Sequence, residues 1–355
     1  MVRAFLGMVI AAVAGLGLAD TKPAGRAALK PGQPVDYRDL AFYPKRWREQ
    51  RVDTRLVPWK GDRVVFLTTT ADYDHQVMRH LLDKLDAGWA LYTELTGRSP
   101  ARLKQLDGLP TMAAVPSARL TCGIGCGYIG ATGIEVAGFY DHDYRALRAD
   151  PAAVPHYYFY EMGRNFYTFG DRHSLFVTGF AVFMRYVCLD ALRCPDPDAA
   201  TRRTIEAAVD GYARSDLGFL RAFTTHDGLG EKEPRLKDAA GRPVQPSDQP
   251  VLYASAMLRL RKECGGDAWV GRFFRQLATV PPVKVDSKQA ALRQAVSWLV
   301  AASCAARRDL SDLFVTRWRL PLDAKTRQAL AKVRWDAADL TAGKVAAGLD
   351  PVFPD

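Results

Sequence analysis

Beyond its first nineteen residues the chain has no apolar run long enough to cross the roughly 30 Å of a bilayer's hydrocarbon, so no membrane span is expected in the body of the protein. It has no internal repeat and no low-complexity tract, and 48% hydrophobic with 25% charged residues is too balanced for intrinsic disorder. Six cysteines in 355 residues are too few for a scaffold built on disulfides. A G-x-S-x-G elbow and a papain-like cysteine context are both missing, which removes two familiar nucleophile signatures. The net charge of +10 is not gathered: short clusters occur, such as Lys45, Arg46 and Arg48 or Arg259, Arg261 and Lys262, but none reaches five or six like charges. Scattered charge of this kind reads as a solvated basic surface rather than a nucleic-acid site.

What is present begins with an export signal over residues 1–19. Arg3 supplies a positive start, Phe5 to Val13 is apolar, and Gly17-Leu18-Ala19 places small residues before Asp20. A periplasmic or extracellular location follows as an expectation, and no cysteine near the cleavage point supports a lipid anchor. Residues 20–60, rich in Pro, Gly and Arg without periodicity, read as an N-terminal arm. Residues 61–154 read as a mixed α/β upper lobe. Arg63 to Thr69 is a β-branched and aromatic strand, and Val77, Met78, Leu81, Leu82, Leu85, Trp89, Tyr92 and Leu95 recur at helical spacing up to a C-terminal Gly97. Thr111 to Val115 and Tyr128 to Val136 read as further strands, the second interrupted by Gly130 and Gly133.

Residues 155–345 form the expected helical lower lobe, with periodic segments at 156–169, 175–190, 199–215, 251–263, 266–278 and 287–305, and residues 346–355 a tail. A stretch at 227–250 dense in Gly, Pro, Lys and Asp reads as a connection or flap. The fold class is therefore α+β.

In an oxidising compartment the cysteines are disulfide candidates: Cys122, Cys126, Cys188, Cys194, Cys264 and Cys304. Proximity suggests Cys122 with Cys126, Cys188 with Cys194 and, by elimination, Cys264 with Cys304, although spacing alone does not fix pairing. A zinc site on Cys122-x-x-x-Cys126 would need a second close pair, which the other four do not supply. Gly125-Cys126-Gly127-Tyr128-Ile129-Gly130 matches G-x-G-x-x-G but leads into a strand rather than a helix, so it reads as a glycine-rich turn and edge strand instead of a dinucleotide site.

The stretch His156 to Phe169, HYYFYEMGRNFYTF, carries the most chemistry. On a helix Tyr160 and Arg164 share a face at i and i+4, with Glu161 directly after the first. Zinc hydrolases place two histidines and a general-base glutamate in that geometry. Tyr160-Glu161-Met162-Gly163-Arg164-Asn165 agrees with His-Glu-Met-Gly-His-Asn at four of six positions, and both metal ligands are the ones replaced. With Thr178-Gly179-Phe180-Ala181 standing where a Glu-Gly-Phe-Ala ligand helix belongs, and Gly127 to Val136 as an edge strand, the chain resembles zincin metallopeptidases of the gluzincin, enhancin-like kind over about residues 61–332. The resemblance implies a zincin-like fold in which Tyr160, Arg164 and Thr178 occupy the three metal-ligand positions.

A neutral phenol, a permanent cation and an uncharged hydroxyl are poor zinc ligands, so neither a metal nor any other cofactor is expected. Arg164 is expected to pair with Glu161, and breaking such a buried pair would cost about 3–5 kcal/mol. Other metal donors are dispersed: Asp141, His142 and Asp143 are consecutive and cannot all face one ion, and a set of His156, Glu161, His173 and a further carboxylate competes with ordinary structural roles for the histidines. The leading expectation is an exported, non-catalytic pseudopeptidase, a binding or structural protein at the cell envelope or outside the cell that keeps a cleft for peptide or glycoprotein. The alternative is a metal-independent hydrolase with Glu161 as general acid or base and Tyr160 and Arg164 as proton donor and oxyanion stabiliser. A burial-raised Glu161 opening into a cleft would favour the alternative, and an intimate Glu161–Arg164 pair the first. A basic surface that binds an anionic surface polymer is a third reading.

Overall fold

The computed structural model describes residues 29–170, 177–223 and 249–353. The expected export signal, His173 and nearly all of the connection at 227–250 lie outside the described residues. Seven strands build one mixed sheet: β1 (Val35–Asp36), β2 (Arg55–Lys60), β3 (Val65–Thr68), β4 (Gln105–Leu106), β5 (Leu109–Ala114), β6 (Gly125–Gly127) and β7 (Ile134–Val136). The order is β1-β2-β3-β5-β7-β6, with β4 paired to β5. β3, β5 and β7 run parallel, and β2 and β6 flank them antiparallel.

Alternation along β3 explains why both sheet faces are covered. Phe66 points into the main core with Met112 and Ala114, while Val65 and Leu67 point the other way and join a smaller core with Ala113, Tyr37 and Trp47. Tyr37 and Trp47 belong to the stretch read as an N-terminal arm. It has regular structure of its own: residues 35–60 contribute two strands and helix α1 (Pro44–Glu49), and Trp47 and Trp59 are fully buried. Apolar periodicity is faint there because β1 is only two residues long and β2 carries Pro58 mid-strand.

Helix α2 (His75–Thr96) packs its apolar stripe against the sheet, started by Asp74 accepting from the N–H groups of Gln76 and Val77 and stopped by Gly97 at φ 64°. Its Asp86 carboxylate accepts from the backbone N–H groups of Asp62, Arg63 and Val64 at 2.6, 2.8 and 2.9 Å, tying the β2–β3 turn to the helix. After α3 (Tyr144–Ala149) come α4 (His156–Phe166) and α5 (Val177–Ala191). These two pack closely because Gly163 faces Ala181, whose Cα would lie 2.8 Å from any added Cβ. The Tyr92 hydroxyl of α2 donates to Phe159 O at 2.7 Å, fixing α4 over the sheet.

The helical lobe continues with α6 (Ala199–Ala213), α7 (Phe219–Phe223), α8 (Gln249–Cys264), α9 (Gly266–Leu277), α10 (Lys288–Ala306), α11 (Ala324–Ala331) and α12 (Ala342–Ala347). An aromatic cluster of Trp298, Phe314 and Trp318 fills its centre. The tail is docked: Phe353 is buried and the Val352 N–H donates to Asp323 at 3.1 Å. The molecule is thus α+β, a mixed sheet followed by helices. No helix among the described residues is long and apolar enough to cross a membrane.

Candidate functional site

Helix α4 carries the site because its first turn is anchored and its last turn is stitched to the sheet edge. The Tyr157 and Tyr158 hydroxyls donate to the buried Asp143 carboxylate at 2.5 and 3.0 Å. At the other end Asn165 Nδ2 donates to the carbonyls of Tyr128 and Gly133, both at 3.0 Å. The Gly130 N–H donates to Arg164 O at 3.0 Å, a backbone bond that holds the β6–β7 loop against the end of the helix. The stretch expected as one interrupted strand over Tyr128 to Val136 is therefore the loop and second strand of a hairpin that starts at β6. Gly130 and Gly133 take positive φ (72° and 126°) in its loop, and β6 is the true edge strand.

Beneath β6 and beside it lies an open cleft of about 1150 Å³, lined by Tyr160, Glu161 and Arg164 from α4. β6 crosses directly over Glu161. A Cβ on Gly125 would come within 2.6 Å of the Glu161 carboxylate, and one on Gly127 within 2.5 Å of the Glu161 backbone oxygen. The glycines that match a nucleotide fingerprint are there for this close approach. The far wall is aromatic: Phe42 packs on Tyr128 with ring centroids 4.1 Å apart, and Tyr43 stands next to it beneath the Arg46 guanidinium. Glu135 holds that wall in place, its buried carboxylate accepting from Tyr37 Oη at 3.0 Å and the Phe42 N–H at 2.9 Å.

Burial pushes the Glu161 carboxyl up to about 7, against the opposing pull of the Arg164 charge and the Gly127 backbone amide. Burial also raises the Tyr160 phenol, so it stays neutral. The expected Glu161–Arg164 ion pair is not formed. Arg164 instead donates from Nη1 to Thr178 Oγ1 at 3.3 Å and lies against the Tyr160 phenol, because the i+4 tyrosine and the facing α5 share its side of the helix while Glu161 turns under β6. Glu161 is only 6% exposed yet lines the cleft, with β6 as its cover.

Tyr160, Glu161 and Arg164 thus line the cleft together, and Thr178 lies behind them as the partner of Arg164. A phenol held neutral, a guanidinium and a hydroxyl do not fit a zinc ion, and the described residues contain no group of three His, Cys, Asp or Glu able to hold a metal. His156 faces Arg185, with Nδ1 and Nη1 3.3 Å apart, and His142 pairs with Asp143 at 2.9 Å.

Cys122 and Cys126 form a disulfide at the cleft rim. The other two expected pairings are corrected: Cys188, Cys194, Cys264 and Cys304 are thiols. Cys188 is sealed in the core on α5, Cys194 points to Leu192 O at 3.9 Å, and Cys264 meets Arg308 at 3.7 Å. Sequence reasoning missed the wall residues Phe42 and Tyr43 and their anchor Glu135. A buried glutamate between Ile134 and Val136 in an apolar strand is the signal that pointed there.

No family model and no curated protein matches the sequence. Among solved structures, the chain is similar to a functionally unknown conserved protein from Bacillus anthracis str. Ames, with a TM-score of 0.50 at 10% identity over 83% of this chain and 56% of that one. A mutant of a functionally unknown conserved protein from the same organism aligns with a TM-score of 0.47 at 13% identity over 84% of this chain and 56% of that one. The chain spans just over half the length of these structures. The likeness is one of fold.

Proposed function

We propose that the protein is an exported pseudopeptidase of zincin-like architecture, whose cleft binds an extended peptide or glycoprotein segment without cleaving it. The observation that carries this reading is the Arg164 guanidinium on the Thr178 hydroxyl, where the family resemblance puts the metal. A fixed cation there suits a carboxylate or carbonyl of a bound chain. The edge strand β6 borders the same cleft and offers backbone groups for strand pairing, and the aromatic wall offers apolar contact. Metal analysis of purified protein, followed by casein or mucin digestion and by binding of the same substrates, tests it. Binding without hydrolysis is expected. Stoichiometric zinc with activity abolished by Glu161→Gln would overturn it.

A second reading, a metal-independent hydrolase, is favoured by one specific observation: Glu161 is raised to about 7, lines an open cleft and is not consumed by an ion pair with Arg164. Such a group is suited to proton transfer near neutrality, with Arg164 placed to stabilise an oxyanion. An activated ester assay decides. Turnover with an apparent pKa near 7 that vanishes in Glu161→Gln supports this reading, and a background rate unchanged by the substitution removes it.

A further inference from the structure

A second concavity lies on the helical lobe, between α9, the end of α10 and the segment linking α11 to α12. Its lining includes Arg272, Arg275, Arg307, Cys304 and Trp335. Four other arginines of this lobe are matched by carboxylates: Arg202 and Arg261 by Asp190, Arg259 and Arg317 by Asp210. Among the described residues no carboxylate forms a salt bridge with Arg272, Arg275 or Arg307. Burial lowers the Arg272 guanidinium from its ordinary value, and the charges of Arg307 and Arg275 press in the same direction. Arg272 spends its Nε on Ala305 O at 2.9 Å, a helix-end carbonyl, which leaves its two Nη groups for another acceptor.

Trp335, 7% exposed, closes the floor of the pocket with its ring. Guanidinium groups are donors only. Burial pushes the Cys304 thiol up to about 11, so it brings no negative charge. What such a lining lacks is a compact group that only accepts. The space is about 120 Å³, enough for a few heavy atoms at ~30 Å³ per water-sized occupant and too small for a larger body.

We propose that this pocket binds a tetrahedral oxyanion, a phosphate or sulfate group, held by Arg272, Arg275 and Arg307. The group arrives either as the free ion or as the end of a monoester. The site shares no lining residue with the cleft and does not depend on the reading given for it.

Calorimetric titration of the full chain in chloride buffer with inorganic phosphate, inorganic sulfate and glycerol 1-phosphate tests the proposal, with thermal shift as a second readout. Saturable one-to-one binding is expected for at least one. The tighter of free ion and monoester identifies the source. Arg307 sits at φ 55°, a conformation glycine adopts freely, so Arg307→Gly removes the charge while keeping or improving the fold. Arg307→Gly and Arg272→Met should each weaken binding about tenfold or more, as expected for a lost charge-assisted hydrogen bond. Absence of saturable binding to all three probes, or binding unchanged in the Arg272→Met/Arg307→Gly double variant, overturns the proposal.

Discussion

Arg164 and Thr178 face each other across two packed helices, Nη1 to Oγ1 at 3.3 Å, while Glu161, one turn earlier on the same helix as Arg164, lies under the edge strand without an ion-pair partner. The basic group and the acidic group of one short motif therefore take different partners. Arg164 closes the α4–α5 contact, and Glu161 is a buried acid held close to neutrality.

Glu161 makes stability depend on pH in a definite direction. Its folded-state value is about 7 against an ordinary 4.5, so the folded state binds the extra proton between those values. Stability is full below about 4.5, falls as pH rises through about 7, and is level above. Glu161→Gln mimics the protonated form and removes this slope. Urea unfolding at pH 5 and pH 8 should show the variant more stable than the parent at pH 8 by up to about 3 kcal/mol, with the difference shrinking toward pH 5. A variant less stable at pH 8 contradicts the burial described.

Gly127 has backbone in the way of any side chain. The Cβ of Gly127→Ala would sit 2.5 Å from the Glu161 carbonyl oxygen, so β6 must lift off α4. Overpacking of this kind costs about 1–3 kcal/mol. At Gly125 the obstacle is the movable Glu161 side chain, so Gly125→Ala should cost less stability while altering cleft binding more. Denaturation midpoints and ligand titrations of the two variants separate the effects, and equal costs would count against the geometry.

Glu135 is the peg on which the far wall hangs. Glu135→Ala deletes the acceptor for Tyr37 and Phe42, and each lost bond to a charged acceptor is worth about 1.5–3 kcal/mol. Limited proteolysis should then cut faster than in the parent at the basic residues Arg38, Lys45 or Arg46, and cleft binding should weaken. Resistance equal to the parent's would show that the wall stands without its anchor.

Thiol counting distinguishes one disulfide from three. The denatured, unreduced protein should titrate four thiols, and six after reduction. In the native state Cys264 should react first, being the most accessible of the four, and Cys188 last. Zero thiols in the unreduced sample would restore the pairing expected from proximity.

Restoring the three ligand positions tests the zincin-like reading directly. Tyr160→His, Arg164→His and Thr178→Glu together should bind zinc stoichiometrically by metal analysis after dialysis, whereas the parent should not. A folded triple variant that takes up no zinc would separate the helix geometry from the family it resembles.

The helical lobe was legible because its segments are long and periodic: α4, α5, α6, α8, α9 and α10 fall within a few residues of the spacing-based expectation. The same holds for α2, where Gly97 marks the stop. Residues 35–60 were not legible as strands and a helix. Trp47 and Tyr37 cover a sheet face through contacts with residues such as Val65 and Ala113, and such distant pairings leave no local period. In the cleft, the composition of the α4 motif was readable, but which partner Arg164 would choose was not. Glu161 and Thr178 were both within a side chain's reach in principle, and the position of β6 decided between them.

The charge that Arg164 brings to the cleft is covalently part of the polypeptide. Chelators cannot strip it, a shortage of trace elements cannot empty it, and no loading step has to follow synthesis. Whatever the cleft holds, its affinity should be indifferent to the ionic supply of its surroundings, except through ordinary screening by salt.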